Sequence, residues 1–405
     1  WLDPARSLWP AISLALMLGG YGLRTVLQSE PSRRAPVGSS VDLPTLDVVV
    51  AARDEESVVT RLVERLTALR YPSGRLSTWV IDDGSLDRTP QLLDDLAATH
   101  ASLRVIHRPR DAGGGKSGAL NTALQQLRGE WLLVLDADAQ LQEDLLEHLL
   151  PYALDGGWSA VQLRKAVIDA DRNWLTRAQA MEMALDAVIQ QGRLSGGGVA
   201  ELRGNGQLIR RSVLEASGGF NEDTVTDDLD LSFRLLTHGA LVGILWDPPV
   251  QEEAVPGLAA LWKQRQRWAE GGLQRFFDYW PTLTSDQLSP RQRWDLACFF
   301  LLQYGLPMVS FADLSTSLVT RTPPSYWPLS FVAFSVSGLA YWRGCRNSSE
   351  GPAIPSAGPV QLLLAIVYLS HWFLVIPWVT LKMAVLPKRL VWAKTSHGEQ
   401  EPVQA

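Results

Sequence analysis

The sequence predicts an α/β fold: a largely parallel sheet with helices on both faces, framed by transmembrane helices. Three observations carry this. Strand-like and helix-like apolar periods alternate from Leu43 onward. Acidic residues recur just after several of the strand-like runs, and long, nearly uncharged stretches lie toward both ends of the chain. At 405 residues there is room for one large domain or two ordinary ones.

The first element, "SLWPAISLALMLGGYGLRTV" from Ser7 to Val26, is long enough to cross a bilayer. A signal peptide is the competing reading, but no small-residue cleavage site precedes the polar linker. The chain begins at Trp1, so its natural start is expected upstream. From Leu43, "TLDVVVAA" reads as a buried strand, and Val58, Val59, Leu62, Val63, Leu66 and Leu69 then recur at helical spacing. "TWVIDD" is a second strand, followed by a helix around Leu92 to Ala97. "LRVIHR" is a third, followed by a helix from about Ser117 to Leu127. "WLLVLDAD" is a fourth, with a helix at Asp144 to Tyr152, and "SAVQLRKA" makes a fifth. Such alternation implies parallel pairing.

Three late apolar stretches follow: Leu296 to Val319, Tyr326 to Trp342 and Val360 to Leu386. Nine of the sixteen tryptophans lie from Trp262 onward, many flanking these stretches as in an interfacial aromatic belt. The expected organisation is residues 1–42 as a transmembrane helix and linker, 43–290 as the α/β domain with interfacial helices at its end, and 291–405 as transmembrane helices with a basic tail. Arg24, Arg33 and Arg34 after the first span place the middle domain in the cytosol. Three further spans would put "PKRLVWAK" outside, against the same rule. One late segment is then re-entrant or interfacial, with Pro307 and Asp313 marking one candidate. Alternatively the last stretch, with Pro377 inside it, folds as a hairpin.

The net charge of −6 gives no support to a nucleic-acid partner. Two cysteines, Cys298 and Cys345, exclude a disulfide framework, and six scattered histidines disfavour a zinc site. No GxGxxG or GxxxxGK[ST] follows the first strand, which disfavours a dinucleotide oxidoreductase or P-loop ATPase.

Ligands of doubly wound sheets bind at the carboxyl ends of the strands. Arg53, Asp54 and Glu55 fall there after the first strand, Asp82 and Asp83 after the second, Asp136 and Asp138 after the fourth. Acids also cap helices and form turns, but three sets at one rim favour a ligand. The Asp136-Ala137-Asp138 pair lets one carboxylate face a nucleotide sugar and the other a hard cation such as Mg²⁺ or Mn²⁺. "GGGKSGALN" adds a glycine turn and Lys116, a plausible phosphate contact beside a helix start. In "TVTDDLDLSFRL", Thr226 is expected to cap a helix whose first turn holds Asp227, Asp228 and Asp230. In "LWKQRQRWAEGG", Gln264, Arg267 and Trp268 share one helix face: an amide, a guanidinium for pyrophosphate and an aromatic plane. An interfacial membrane helix is the other reading of that segment.

VIDDGS, the D-x-D of LDADA, TDD with LDLSFRL, and QRQRW occur in the order found in family 2 glycosyltransferases. The chain resembles that family, which includes cellulose and hyaluronan synthases, from roughly Leu46 to Trp280. The resemblance implies a GT-A catalytic domain, Rossmann-like and nucleotide-sugar-binding, framed by membrane helices. "GGKSGALN", "ELRGNGQ", "TDDLDLSFRL" and "RWAEGGLQRFFDYW" are similar to its cyanobacterial branch that moves glucose from UDP-glucose to diacylglycerol with inversion. A plasma or thylakoid membrane setting follows from that branch.

Carried over by position, the resemblance implies that Asp83 reads the uracil with Asp82 beside it. Asp136 faces the nucleotide, and Asp138 the Mg²⁺ or Mn²⁺ ion. Lys116, Gln264 and Arg267 hold the pyrophosphate, Trp268 lines the acceptor site, and Glu55 belongs to the substrate side. Asp228 stands at the catalytic base. Asp227 replaces the usual Glu, which leaves its contact open. The helix amino end should depress the pKa of Asp228, while Asp227 and Asp230 should raise it. For the acceptor, Phe276, Phe277, Tyr279 and Trp280 among Arg265, Arg267 and Arg275 suit a helix lying in the interface near anionic lipid. The alternative is packing against the catalytic domain. Rival functions are a processive β-glycan synthase, transfer to polyprenyl phosphate or ceramide, and a non-catalytic scaffold.

Overall fold

The computed structural model describes residues 4–31 and 43–386. Arg33, Arg34 and the basic tail used in the charge argument lie outside them. The strands are β1 (Leu46–Ala52), β2 (Leu76–Asp82), β3 (Leu103–His107), β4 (Trp131–Leu135), β5 (Ala160–Val167), β6 (Gln207–Arg210) and β7 (Val242–Glu252). Between them run α1 (Pro4–Gln28), before β1, then α2 (Val59–Thr67), α3 (Thr89–Thr99), α4 (Gly115–Leu124) and α5 (Leu145–Asp155). α6 (Trp174–Ser195) follows β5, α7 (Arg211–Ala216) follows β6, and α8 (Asp227–Thr237) precedes β7. The chain then continues in helices: α9 (Leu258–Asp278), the short α10 (Trp280–Leu283), α11 (Pro290–Phe300), α12 (Leu306–Thr320), α13 (Trp327–Asn347), α14 (Pro359–Leu369) and α15 (Trp372–Val385). A π-turn, Leu301–Gly305, joins α11 to α12.

All seven strands form one sheet in the order β3-β2-β1-β4-β6-β5-β7. β1 pairs in parallel with β2 and β4, Val50 lying opposite Val80 and Leu135. Alternate β1 residues serve opposite faces, as a pleated strand requires. Val48, Val50 and Ala52 meet Leu62, Leu93 and Leu149, whereas Val49 and Ala51 meet Leu120, Leu231 and Leu235. The five strands read from the sequence are all present. The largely parallel expectation holds for these strands; β6, which was not read from the sequence, is antiparallel to both β4 and β5. Its direction has a local cause. The preceding loop sits at the carboxyl rim, where Asn205 Oδ1 accepts the Asp136 amide at 3.1 Å, so the chain can only run back down the sheet.

Three helical segments among the described residues are long and apolar enough to cross a membrane: Leu8–Gln28, Pro290–Thr320 and Pro359–Val385. With its globular sheet domain, this is a multi-pass membrane protein. α13, expected as a fourth span, forms as a helix but is not among these three; its last turns carry Arg343 and Arg346. It lies beside α1 and runs the same way. A Cβ on Gly22 would lie 3.1 Å from Val336, and Arg343 donates to the carbonyls of Leu27 and Ser29 at 3.1 and 2.9 Å. Asp313 accepts the amides of Ser325 and Tyr326 at 2.8 Å, so this acid closes the turn into α13. The last stretch is divided at Ser370–His371, while Pro377 stays inside α15. α15 then follows α9, with Trp378 Nε1 donating to Gln266 at 3.2 Å and Lys382 reaching Glu270 at 3.2 Å.

Candidate active site

The order 3-2-1-4 places the switch point of the sheet between β1 and β4, where ligands of such folds bind. A cavity of about 1040 Å³ opens there. Glu55, Lys116, Asp136, Asp138, Asp227, Asp228, Gln264, Arg267 and Trp268 all line it.

Asp82 and Asp83 do not line it. Asp82 accepts the Ser85 amide at 3.0 Å and meets His107 Nδ1 at 3.0 Å. Asp83 pairs with Arg108 and, at 3.3 Å, with Arg53, which does line the cavity. Burial pushes the Asp83 carboxyl up against the opposing pull of these guanidiniums. Both acids therefore stand one layer behind the wall.

Gly113, Gly114 and Gly115 have φ of +73°, +69° and +54°, a left-handed run open to glycine at little cost. It turns the chain into the amino end of α4, which is suited to an anion. Lys116 Nζ leaves this turn to donate to Asp136 Oδ1 at 2.6 Å. Burial opposes its charge, but Asp136 and Asp227 outweigh that and raise its pKa. Burial would raise Asp136 too, yet Lys116 holds it low. Asp138 goes the other way, pushed up to about 8 by burial, then by Asp136 and Glu252.

Asp227 and Asp228 begin α8. The Asp228 carboxyl is pushed up to about 6, first by burial and then by Asp227, while hydrogen bonding to the Leu229 amide pulls it down. The opposing pulls of helix end and neighbour were expected, but burial leads them. Asp230, expected to act beside Asp227, is not among the leading causes. It is tied elsewhere, accepting from Arg234 at 2.7 Å, Tyr279 at 2.9 Å and Asn221 at 3.0 Å. The Thr226 cap is also corrected. Its backbone occupies the N-cap position, but its side chain makes no capping bond. The Thr226 side chain instead lies against Gly271 of α9, leaving no room there for a Cβ.

On α9, Gln264, Arg267 and Trp268 share the cavity face as expected. The Trp268 centroid lies 4.0 Å from the Arg265 guanidinium and 5.8 Å from Lys165 Nζ. The interfacial reading of this helix is corrected in part. Arg265 and Arg275 are buried and paired with Glu182 and Glu201, so neither meets anionic headgroups. Phe276 is 2% exposed in a cluster with Phe233, Phe300 and Tyr304, while Phe277 and Trp280 are each 58% exposed.

Lys165, Arg203, Glu222 and Glu252 also line the cavity and were not singled out in the sequence. Only ELRGNGQ carried a signal for one of them, Arg203. The cavity has a second half, equally unforeseen. Leu18 and Gly22 of α1, Leu306 of α12, and Leu329, Val332 and Val336 of α13 continue its wall among the apolar helices. No Lys, Arg, Asp or Glu from α1, α11 to α13, α14 or α15 lines it among the described residues.

A nucleotide-type α/β sheet with acids and cations at its switch point, opening onto membrane helices, defines a membrane-bound transferase acting on an activated sugar. The chain belongs to the family 2 glycosyltransferases: residues 44–271 match the family described as glycosyltransferase like family 2. It is 43% identical to the beta-monoglucosyldiacylglycerol synthase of a Synechocystis species, covering 98% of this chain and 84% of that protein. The Nostoc protein of the same name is 40% identical over 95% of this chain and 83% of its own length. In fold the chain is similar to a mannosyltransferase of Pyrobaculum calidifontis, solved in complex with GDP-Man and Mn²⁺, at TM-score 0.61 and 21% identity. That match covers 93% of this chain and 98% of the other.

Proposed function

We propose that the enzyme transfers glucose from UDP-glucose to the 3-hydroxyl of 1,2-diacylglycerol with inversion, giving beta-monoglucosyldiacylglycerol and UDP. One observation carries the acceptor. The acid-lined rim and the apolar membrane helices share one cavity, and the helical half of its wall holds no charged side chain among the described residues. An acceptor with a neutral head and acyl chains suits such a wall, whereas a polyprenyl phosphate would call for cations there.

In this reading Asp228 takes the acceptor hydroxyl's proton as that oxygen attacks C1 of the glucose. The bond from C1 to the phosphate oxygen breaks on the opposite side, and UDP leaves with the electron pair. Lys116, Arg267 and Gln264, with the amino end of α4, receive the pyrophosphate. Asp83 supports the uracil side through Arg53, with Asp82 beside it, Asp136 faces the nucleotide, and Trp268 offers a plane to the sugar or glycerol. Asp227 keeps the charge around Asp228 and Lys116 balanced, and Glu55 closes the rim beyond β1.

A divalent cation fits Asp138. Mg²⁺ binds through one or two carboxylates plus substrate phosphates, which agrees with the absence of any cluster of three ligating side chains among the described residues. Burial, and after it the charges of Asp136 and Glu252, push Asp138 up to about 8, and a cation would offset both. Bound there, Mg²⁺ or Mn²⁺ would offset the charge that develops on UDP.

The test is an acceptor panel. Purified protein with labelled UDP-glucose is offered diacylglycerol, ceramide or polyprenyl phosphate, and the label is followed into lipid. Labelled glucosyldiacylglycerol as the main product supports the reading. Label in polyprenyl phosphate, or in material growing with time into a polymer, refutes it.

A further inference from the structure

Arg265 lies between two indoles behind the cavity wall, its guanidinium 4.0 Å from the Trp268 centroid and 5.7 Å from that of Trp372. It is fully buried and is not among the residues that line the cavity, so it touches no substrate. A buried cation is costly unless it is paired and hydrogen-bonded, and Arg265 is both. Its Nη2 donates to Glu182 of α6 and, at 2.8 Å, to the Tyr368 hydroxyl. Tyr368 donates in turn to the same Glu182 oxygen at 2.8 Å, and Trp372 Nε1 donates to the other at 3.0 Å. The second arm of the guanidinium, Nη1, donates to Gln264 Oε1 at 3.2 Å.

Two substrate contacts thus depend on one guanidinium. A planar cation against an indole face holds that ring by cation–π attraction, and Trp268 is the plane offered to the acceptor. A carboxamide has one accepting and one donating end. With its oxygen taken by Arg265, Gln264 keeps its NH2 for the pyrophosphate. The groups that fix Arg265 come from elsewhere in the chain: Tyr368 ends α14 and Trp372 begins α15, on either side of the break at Ser370–His371. Helix α9 has further anchors on α15 at Trp378 and Lys382, so docking the helix does not require this cluster. We infer that Arg265 is a positioning residue that sets the Trp268 plane and the Gln264 amide together, and that Tyr368 and Trp372, through Glu182, make that setting depend on the membrane helices α14 and α15. The inference rests on the acceptor role of Trp268 proposed above.

The experiment compares wild type, Arg265→Lys and Tyr368→Phe in lipid nanodiscs with dioleoylglycerol and UDP-glucose, reading kcat, the KM for each substrate and the thermal midpoint. Arg265→Lys keeps the charge for Glu182 but has neither plane nor fork. It should raise the KM for the lipid and the KM for UDP-glucose by about tenfold each, as expected for losing contacts to a charged group. Tyr368→Phe keeps the ring and leaves Arg265 paired with Glu182. It should raise the KM for the lipid about three- to tenfold, the worth of one hydrogen bond, with little change in thermal midpoint, so it reports even where Arg265→Lys is unstable. A cluster that serves stability alone would lower the midpoint and kcat while both KM values stay at the wild-type level, and that result would overturn the inference. A rise in the KM for UDP-glucose alone would overturn the link to Trp268. A wild type that leaves dioleoylglycerol unmodified would overturn the acceptor reading, and this inference with it.

Discussion

At Asp228 burial and the neighbouring charge of Asp227 act together, and the carboxyl is pushed up to about 6. Below that pH the group is protonated and cannot accept a proton. Activity should therefore fall on the acid side with a midpoint near 6 and level off above it. Asp227→Asn removes the second cause, so its acid limb should move to lower pH; an unmoved limb would detach the profile from Asp228. Asp228→Asn keeps the shape but not the basicity, and turnover should drop by roughly 10²–10⁴-fold with UDP binding retained. Wild-type turnover in that variant would remove Asp228 from the mechanism. Asp138→Ala should abolish transfer, as should thorough chelation of the wild type until Mg²⁺ or Mn²⁺ is restored. Full activity after chelation would leave the D-x-D pair to the nucleotide alone. Glu55, Asp136 and Asp138 were legible because each follows a strand in the sequence, and Asp227 and Asp228 because three acids crowd one helix start. The partner of Asp230 was not, since Tyr279 lies 49 positions away and no local pattern joins them.

The helix α9 shows what periodicity reveals and what it hides. Spacing put Gln264, Arg267 and Trp268 on one face, and the cavity confirms that face. Which of the remaining faces meets lipid depended on partners far along the chain, so Phe276 and Phe277 could not be told apart. Their substitution separates them now. Phe276→Ser empties a buried aromatic cluster and should cost about 3–5 kcal/mol, read as a large fall in thermal midpoint. Phe277→Ser should leave the midpoint nearly unchanged, and equal effects would refute this placement of the helix. The glycines of "WAEGG" have a use invisible to spacing: Gly271 admits Thr226 at the head of α8, and Gly272 admits Tyr304. Gly271→Ala should displace the turn carrying Asp227 and Asp228, lowering turnover more than it lowers the thermal midpoint. Normal turnover in Gly271→Ala would show that α8 tolerates the shift.

For the molecule as a whole, the alternation of strands and helices was enough to anticipate the sheet as far as β5. The reversal at β6 was hidden because four residues, Gln207–Arg210, carry too little pattern to fix a direction. Membrane helices were legible as apolar runs, but their joint wall with the catalytic rim was not, because a cavity is made by the relation among α1, α12 and α13. That wall makes the central claim specific: one glucose is added, with inversion, to a neutral lipid reached from the membrane side. The most direct test is to incubate purified enzyme with UDP-glucose and diacylglycerol and examine the lipid product by mass and by the proton coupling at the sugar's C1. The account predicts a single added hexose in the β configuration. An α-linked sugar, a ladder of added hexoses, or UDP release with unmodified lipid would contradict it.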